Sequence, residues 1–261
     1  MSAIIIDGGL VHYEALGRGK PLLLLHGWLG SWRYWVPVME ELSVDHRVYA
    51  LDLWGFGDSD QRNRDYGIDS FVGLLDAFIA NLGILRIPLA VVGHALGAVV
   101  ALVWALRNPD RSDRVMAVSL PLTGMSINQR LATPEALTLF DKAFIHPPAN
   151  FEALQLETRK ADEAAIVDSL HSVMGLNMLG ELQRMALPVL LVYGDQDDIV
   201  TPLDSSSLSS SEFVRAIYMP ESRHFPMLDE CTKFTRLLRD FLVVEDVNSL
   251  SLKEEWRRMT R

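Results

Sequence analysis

Apolar residues along this chain alternate between two rhythms. Nearly unbroken apolar runs at 21–25, 89–92, 114–120, 188–193 and 214–218 read as buried strands, and 47–51 as another. Between them the spacing changes to threes and fours. Residues 34–42 place Trp35, Val38, Met39 and Leu42 on one helical face, and 68–82 and 96–107 repeat the pattern. Two short strand-like runs, 3–6 and 10–15, flank Asp7, Gly8 and Gly9, which is hairpin punctuation. A last helix runs through Phe241. Strands alternating with helices predict an α/β fold, with a mostly parallel central sheet covered by helices on both faces.

Between 122 and 185 the strand-like runs vanish, and amphipathic helical spacing is broken by Pro134, Pro147, Pro148 and Asn150. The expected division is therefore a core of 1–121 and 186–242, a small helical lid of 122–185 inserted after a late strand, and a charged tail of 243–261. Such a lid would lie over the carboxyl edge of the sheet, where ligands sit in these folds. The serine run at 205–211 reads as a surface segment, and Leu252 and Trp256 as docking points within the tail.

Composition narrows the function classes. The net charge of -10 over 261 residues disfavours binding to nucleic acid or anionic lipid. The single cysteine, Cys231, excludes an internal disulfide framework and a cysteine-based zinc site. His12, His46, His146 and His171 show no ligand spacing, so neither a metal nor another cofactor is expected. Residues 89–106 carry no formal charge, but Gly93 and Gly97 interrupt them. They read as a strand, a turn and a helix, without membrane insertion. No basic segment followed by a long apolar run opens the chain, so the expected location is the cytoplasm.

The chemistry concentrates at Val91-Val92-Gly93-His94-Ala95-Leu96-Gly97-Ala98. A strand running through G-x-x-x-G directly into a helix is the layout of a nucleophile elbow, G-x-S-x-G. The glycines allow strand and helix to approach, and the central residue is forced into a strained turn. Here that residue is Ala95. The acidic stretch Asp195, Asp197 and Asp198 follows one later strand, and His224, before Phe225 and Pro226, follows the last. Upstream, Leu25-His26-Gly27-Trp28 closes a strand, where a backbone N–H can face the elbow.

This set resembles the α/β-hydrolase family, in its lidded branch of small esterases, from about residue 4 to 241. The resemblance implies His224 as general base and Asp197 as its partner, chosen over Asp195 and Asp198 by the family's spacing. It implies an oxyanion hole from the backbone N–H groups of Trp28 and Leu96. A substrate pocket is expected from His26, Trp28, Met125, Phe140, Phe144 and Phe225, although loop structure is the more ordinary role for His26 and lid packing for Met125, Phe140 and Phe144, while core or lid packing suits Trp28 equally well. His94 is expected to pack beneath the elbow.

Alanine at the nucleophile position departs from the family pattern. The expected activity is hydrolysis of an ester, thioester or lactone carbonyl on a small neutral or hydrophobic molecule, inactivated here by a Ser→Ala change. Two alternatives stand beside it: a non-catalytic ligand- or partner-binding protein, and non-covalent chemistry with His224 as base. Hydrolysis of a carbon–carbon bond beside a ketone also stays open.

Overall fold

The structure, a computed structural model, describes residues 2–61, 64–84, 87–202 and 211–253. The serine run other than Ser211, and the tail beyond Lys253 with Trp256, lie outside the described residues.

Eight strands form one sheet in the order β1-β2-β4-β3-β5-β6-β7-β8. β1 (Ser2–Ile6) and β2 (Gly9–Leu16) make the expected hairpin, and β2 pairs antiparallel with β4 (His46–Leu51). The remaining pairs are parallel, through β3 (Lys20–Leu25), β5 (Leu89–His94), β6 (Ser112–Val118), β7 (Val189–Gly194) and β8 (Val214–Met219). β5 and β7 are buried at every position, so both faces of the sheet are covered.

Helix α1 (Val36–Leu42) buries Val38, Met39 and Leu42, as the spacing predicts. The expected start at 34 is instead a tight 3-10 turn, Trp32–Trp35. Pro37 explains it: proline has no N–H to continue the i→i−4 ladder backward, but it fits the first turn of a helix. Helix α2 (Ile68–Asn81) and helix α3 (Leu96–Arg107) pack on each other. The uncharged stretch at 89–106 is thus a strand, a turn and a helix, and no described helix is long and apolar enough to cross a membrane.

The chain leaves the sheet earlier than expected, because Ser119 takes a left-handed φ of 47° directly after β6. Helices α4 (Ala136–Asp141), α5 (Phe151–Thr158), α6 (Glu163–Met174) and α7 (Met178–Gln183) then follow before β7. Pro134 precedes α4, and Pro147, Pro148 and Asn150 separate α4 from α5. After β8 come the short α8 (Pro226–Asp229) and α9 (Cys231–Val243), which packs against α1.

Candidate active site

The elbow lies at the carboxyl end of β5. Ala95 holds φ 48° and ψ −108°, a left-handed conformation that costs a non-glycine residue about 1–3 kcal/mol. Its N–H donates to the Val118 carbonyl at 2.9 Å, and its own carbonyl accepts from Ala98 and Val99. The turn closes because its neighbours lack side chains. A Cβ on Gly93 would sit 2.2 Å from the Gly97 carbonyl oxygen, and one on Gly97 would sit 2.5 Å from that of Leu25. Helix α3 starts immediately afterwards, so the Leu96 N–H is the first of a helix and has no intrahelical acceptor.

Two further loops meet this turn. At the end of β3, a Cβ on Gly27 would lie 2.8 Å from the Ala95 Cβ, so the peptides around Gly27 and Trp28 run hard against the elbow. At the ends of β7 and β8, a Cβ on Gly194 would lie 2.0 Å from the Arg223 carbonyl, which shows how closely the acidic and histidine loops are pressed together. There His224 Nδ1 lies 2.9 Å from Asp197 Oδ2, while Asp197 Oδ1 accepts from the N–H groups of Ile199 at 2.8 Å and Val200 at 3.0 Å. Burial opposes ionisation of Asp197, but the adjoining imidazole charge and these bonds outweigh it, holding the carboxyl below the ordinary range. With Nδ1–H donated to a carboxylate, Nε2 is left as the base. Asp195 and Asp198 are exposed and take no part in the pair.

The His224 backbone is fixed as firmly as its ring. Its carbonyl lies 2.9 Å from His94 Nε2 and accepts from Ser119 Oγ at 3.2 Å. His94 Nδ1 lies 3.0 Å from the Tyr34 hydroxyl, which in turn accepts from the Gly27 N–H at 2.5 Å. His94 therefore packs beneath the elbow and bonds across it. Burial, and then the charge of His224, hold its imidazole well below the ordinary histidine range. Nothing in the local sequence marks Tyr34 or Ser119, because their partners come from distant segments.

The expected pocket residues separate into groups. Trp28 donates its indole N–H to Ser169 Oγ of α6 at 2.8 Å, tying the loop after β3 to the inserted helices. Phe140, Phe144 and Phe225 form one aromatic cluster, with Phe144 stacked on Phe225 at 4.6 Å and Phe225 at 5.1 Å from the His224 ring. His26 departs from the pocket expectation. It is fully buried, with Nδ1 2.9 Å from the Gly27 carbonyl and Nε2 accepting from the Leu53 N–H at 2.9 Å, so it braces loops and presents no free edge. Met125 also departs, being 92% exposed. It lies in the 3-10 turn Gly124–Ser126, where Gly124 and not Met125 faces the Met174 side chain.

A cavity of about 410 Å³ opens between Leu29, in the loop after β3, and the inserted helices, with Leu131, Ala136 and Ile166 among its walls. A larger depression of about 800 Å³ opens behind the acidic and histidine loops, and neither Ala95, His224 nor any of the expected pocket residues lines either space. The tertiary structure also brings His12 against Asp52 and Asp58 of the loop after β4. Their groups are already committed: Asp52 takes His12 Nδ1 and the N–H groups of Trp32 and Asp58, and Asp58 pairs with Lys160 at 2.7 Å. An ammonium beside the trio opposes a metal cation there.

Known proteins resemble this architecture. A family model described as the alpha/beta hydrolase fold matches residues 20–150. A 2-hydroxymuconate semialdehyde hydrolase from Pseudomonas sp. (strain CF600) is 29% identical over 287 residues, covering 95% of each chain. A pimeloyl-[acyl-carrier protein] methyl ester esterase from Aeromonas salmonicida is 27% identical over 257 residues, covering 89% of this chain and 99% of its own. Among solved structures, the enol-lactonase from Burkholderia xenovorans LB400 superposes with a TM-score of 0.80 at 19% identity, covering 93% of this chain and 100% of its own. At that identity the likeness is one of fold.

Proposed function

The chain belongs to the alpha/beta hydrolase fold family, and from that premise we propose that it is a serine-type hydrolase of an ester-type carbonyl whose nucleophile has been replaced by alanine at position 95. One observation carries the reading: a buried alanine is held in a strained left-handed turn, with Gly27 pressed against it and an aligned Asp197–His224 pair packed on the adjoining His94. A site that only binds has no use for an orienting carboxylate and a strained elbow together.

With a hydroxyl at position 95, the steps follow from the geometry. His224 Nε2 takes the hydroxyl proton as the oxygen attacks the carbonyl carbon, and Asp197 stabilises the imidazolium. The Trp28 and Leu96 N–H groups are the proposed donors to the resulting oxyanion, each such donor being worth about 3 kcal/mol. Collapse expels the alcohol, which takes the proton from His224, and water then cleaves the acyl-enzyme by the same route. Without the hydroxyl the first bond cannot form, and the loss is on the order of a millionfold in kcat. The aromatic cluster of Phe140, Phe144 and Phe225 beside His224 supports a small neutral or hydrophobic substrate.

The Ala95→Ser variant is expected to hydrolyse short p-nitrophenyl esters and to label with a fluorophosphonate at position 95, while the present chain does neither. If both proteins stay inert across acyl lengths, the serine reading fails. Activity in the present chain that His224→Ala abolishes would point instead to His224 acting on its own as a base. The 2-hydroxymuconate semialdehyde hydrolase relative favours one second reading, cleavage of a carbon–carbon bond beside a ketone by the same carbonyl addition. Turnover of such a ketone, in preference to esters, by Ala95→Ser would select it.

A further inference from the structure

The proposed reaction needs three loops to keep fixed places: the one bearing the Trp28 N–H, the elbow, and the one bearing His224. A single chain of hydrogen bonds joins them through two side chains that no step uses. It runs from the Gly27 N–H to the Tyr34 hydroxyl, from Tyr34 to His94 Nδ1, and from His94 Nε2 to the His224 carbonyl.

Its direction is forced. A carbonyl can only accept, so His94 Nε2 carries the proton. Burial keeps the ring neutral, so Nδ1 is a lone pair and the Tyr34 O–H must donate to it. The Tyr34 oxygen is then free to accept from Gly27. Tyr34 is 1% exposed, and its ring stands edge-on to His94 at 5.5 Å and to Phe225 at 5.4 Å, leaving the hydroxyl one place to be.

Gly27 is gripped on both sides. Its carbonyl shares a peptide plane with the Trp28 N–H and faces the Gly30 N–H and His26 Nδ1. Its own N–H, in the preceding plane, is held by Tyr34. Removing the Tyr34 oxygen would leave the Gly27 N–H and His94 Nδ1 buried without partners, and it would loosen both ends of the chain.

We propose that Tyr34 is a positioning residue of the site: its hydroxyl aims the Trp28 N–H at the oxyanion and, through His94, sets the backbone from which His224 reaches position 95. Tyr34 touches neither substrate nor reacting atoms. Its kinetic consequence rests on the serine-hydrolase reading, whereas the coupling of the loops does not.

The test has two arms. In the present chain, Tyr34→Phe is expected to shift the imidazole nitrogen NMR resonances of both His94 and His224. Tyr49→Phe, on β4, is expected to shift neither. In the Ala95→Ser background, adding Tyr34→Phe is expected to lower kcat for a p-nitrophenyl ester roughly ten- to a hundredfold. KM is expected to change by less than about threefold, and affinity for a boronic acid that mimics the tetrahedral oxyanion to fall in step with kcat. Phenylalanine keeps every ring contact. His94→Leu is the second variant, and because its side chain carries neither a donor nor an acceptor, it breaks the bonds to Tyr34 and to the His224 carbonyl together, and the same split is expected. Unmoved imidazole resonances, or folded variants with unchanged kcat and boronate affinity, overturn the inference. If Ala95→Ser is inert while both imidazoles respond to Tyr34→Phe, the functional reading falls and the coupling stands.

Discussion

Gly97 and Gly73 both lie within helices, and their surroundings give them opposite consequences. A Cβ on Gly97 would meet the backbone carbonyls of Leu25 and His26 at 2.5 and 2.6 Å, and backbone on a central strand cannot move aside. On exposed Gly73, within α2, a Cβ meets nothing within 4 Å. Gly97→Ala is therefore expected to destabilise the protein by about 1–3 kcal/mol, and Gly73→Ala to stabilise it by roughly 0.5–1 kcal/mol. Urea unfolding of the two variants measures both, and equal midpoints would contradict the packing argument. Gly93, Ala95 and Gly97 were legible as an elbow because local spacing and backbone strain define it. For His26 and Met125 the sequence left a pocket role standing beside a structural one. Their direction is set by Leu53 in one case and by the Gly124–Met174 contact in the other, neither of which periodicity encodes.

Strands and helices followed the hydrophobic rhythm closely, since burial on both sheet faces gives continuous runs and burial on one helix face gives spacing of three and four. The segment between α4 and α5 was less legible, because its structure comes from what it docks on. The Ile145 N–H donates to Asp229 Oδ1 at 2.9 Å, and the Arg223 N–H to Asp229 Oδ2 at 2.8 Å. Arg223 also donates to the Lys142 carbonyl, and the His224 N–H to that of Ala143. Residues 142–145 are thus strapped to the histidine loop. Asp229→Asn keeps the shape but turns an NH₂ toward one of the two N–H donors. It is expected to cost about 1–3 kcal/mol and to speed amide hydrogen exchange at Ile145 and Arg223 above that of the β5 amides. Unchanged protection at both amides would show that Asp229 does not hold the strap.

For the molecule as a whole, buried histidines set how stability responds to acid. Burial lowers the proton affinity of His26 and, more strongly, of His94 in the folded state. The unfolded chain then binds more protons below about pH 6.5, so stability falls as pH falls, by up to about 1.4 kcal/mol per unit for each histidine. His12 works the other way. Burial lowers its affinity, but Asp52, Asp58 and Glu14 together raise it above its ordinary value. Its contribution is complete below about pH 6.5 and is lost as pH rises through the folded value. Two against one, the urea midpoint at about pH 5 is expected to lie below that at about pH 7. A midpoint equal or higher at the lower pH would mean that His26 and His94 are not held neutral.

By itself the sequence determined the alternation of strands and helices, the place of the helical insertion, the elbow at Ala95, and the chain order of acid and histidine. These are local matters, governed by the period of burial, the freedom of glycine and the chemistry of side chains near strand ends. Tertiary structure alone decided that His12, Asp52 and Asp58 converge on one another. It also decided that Tyr34 links Gly27 to His94. Hydrogen bonds of about 3 Å depend on where separate loops come to rest, and that is fixed by the packing of the whole sheet, which no single stretch of the chain contains.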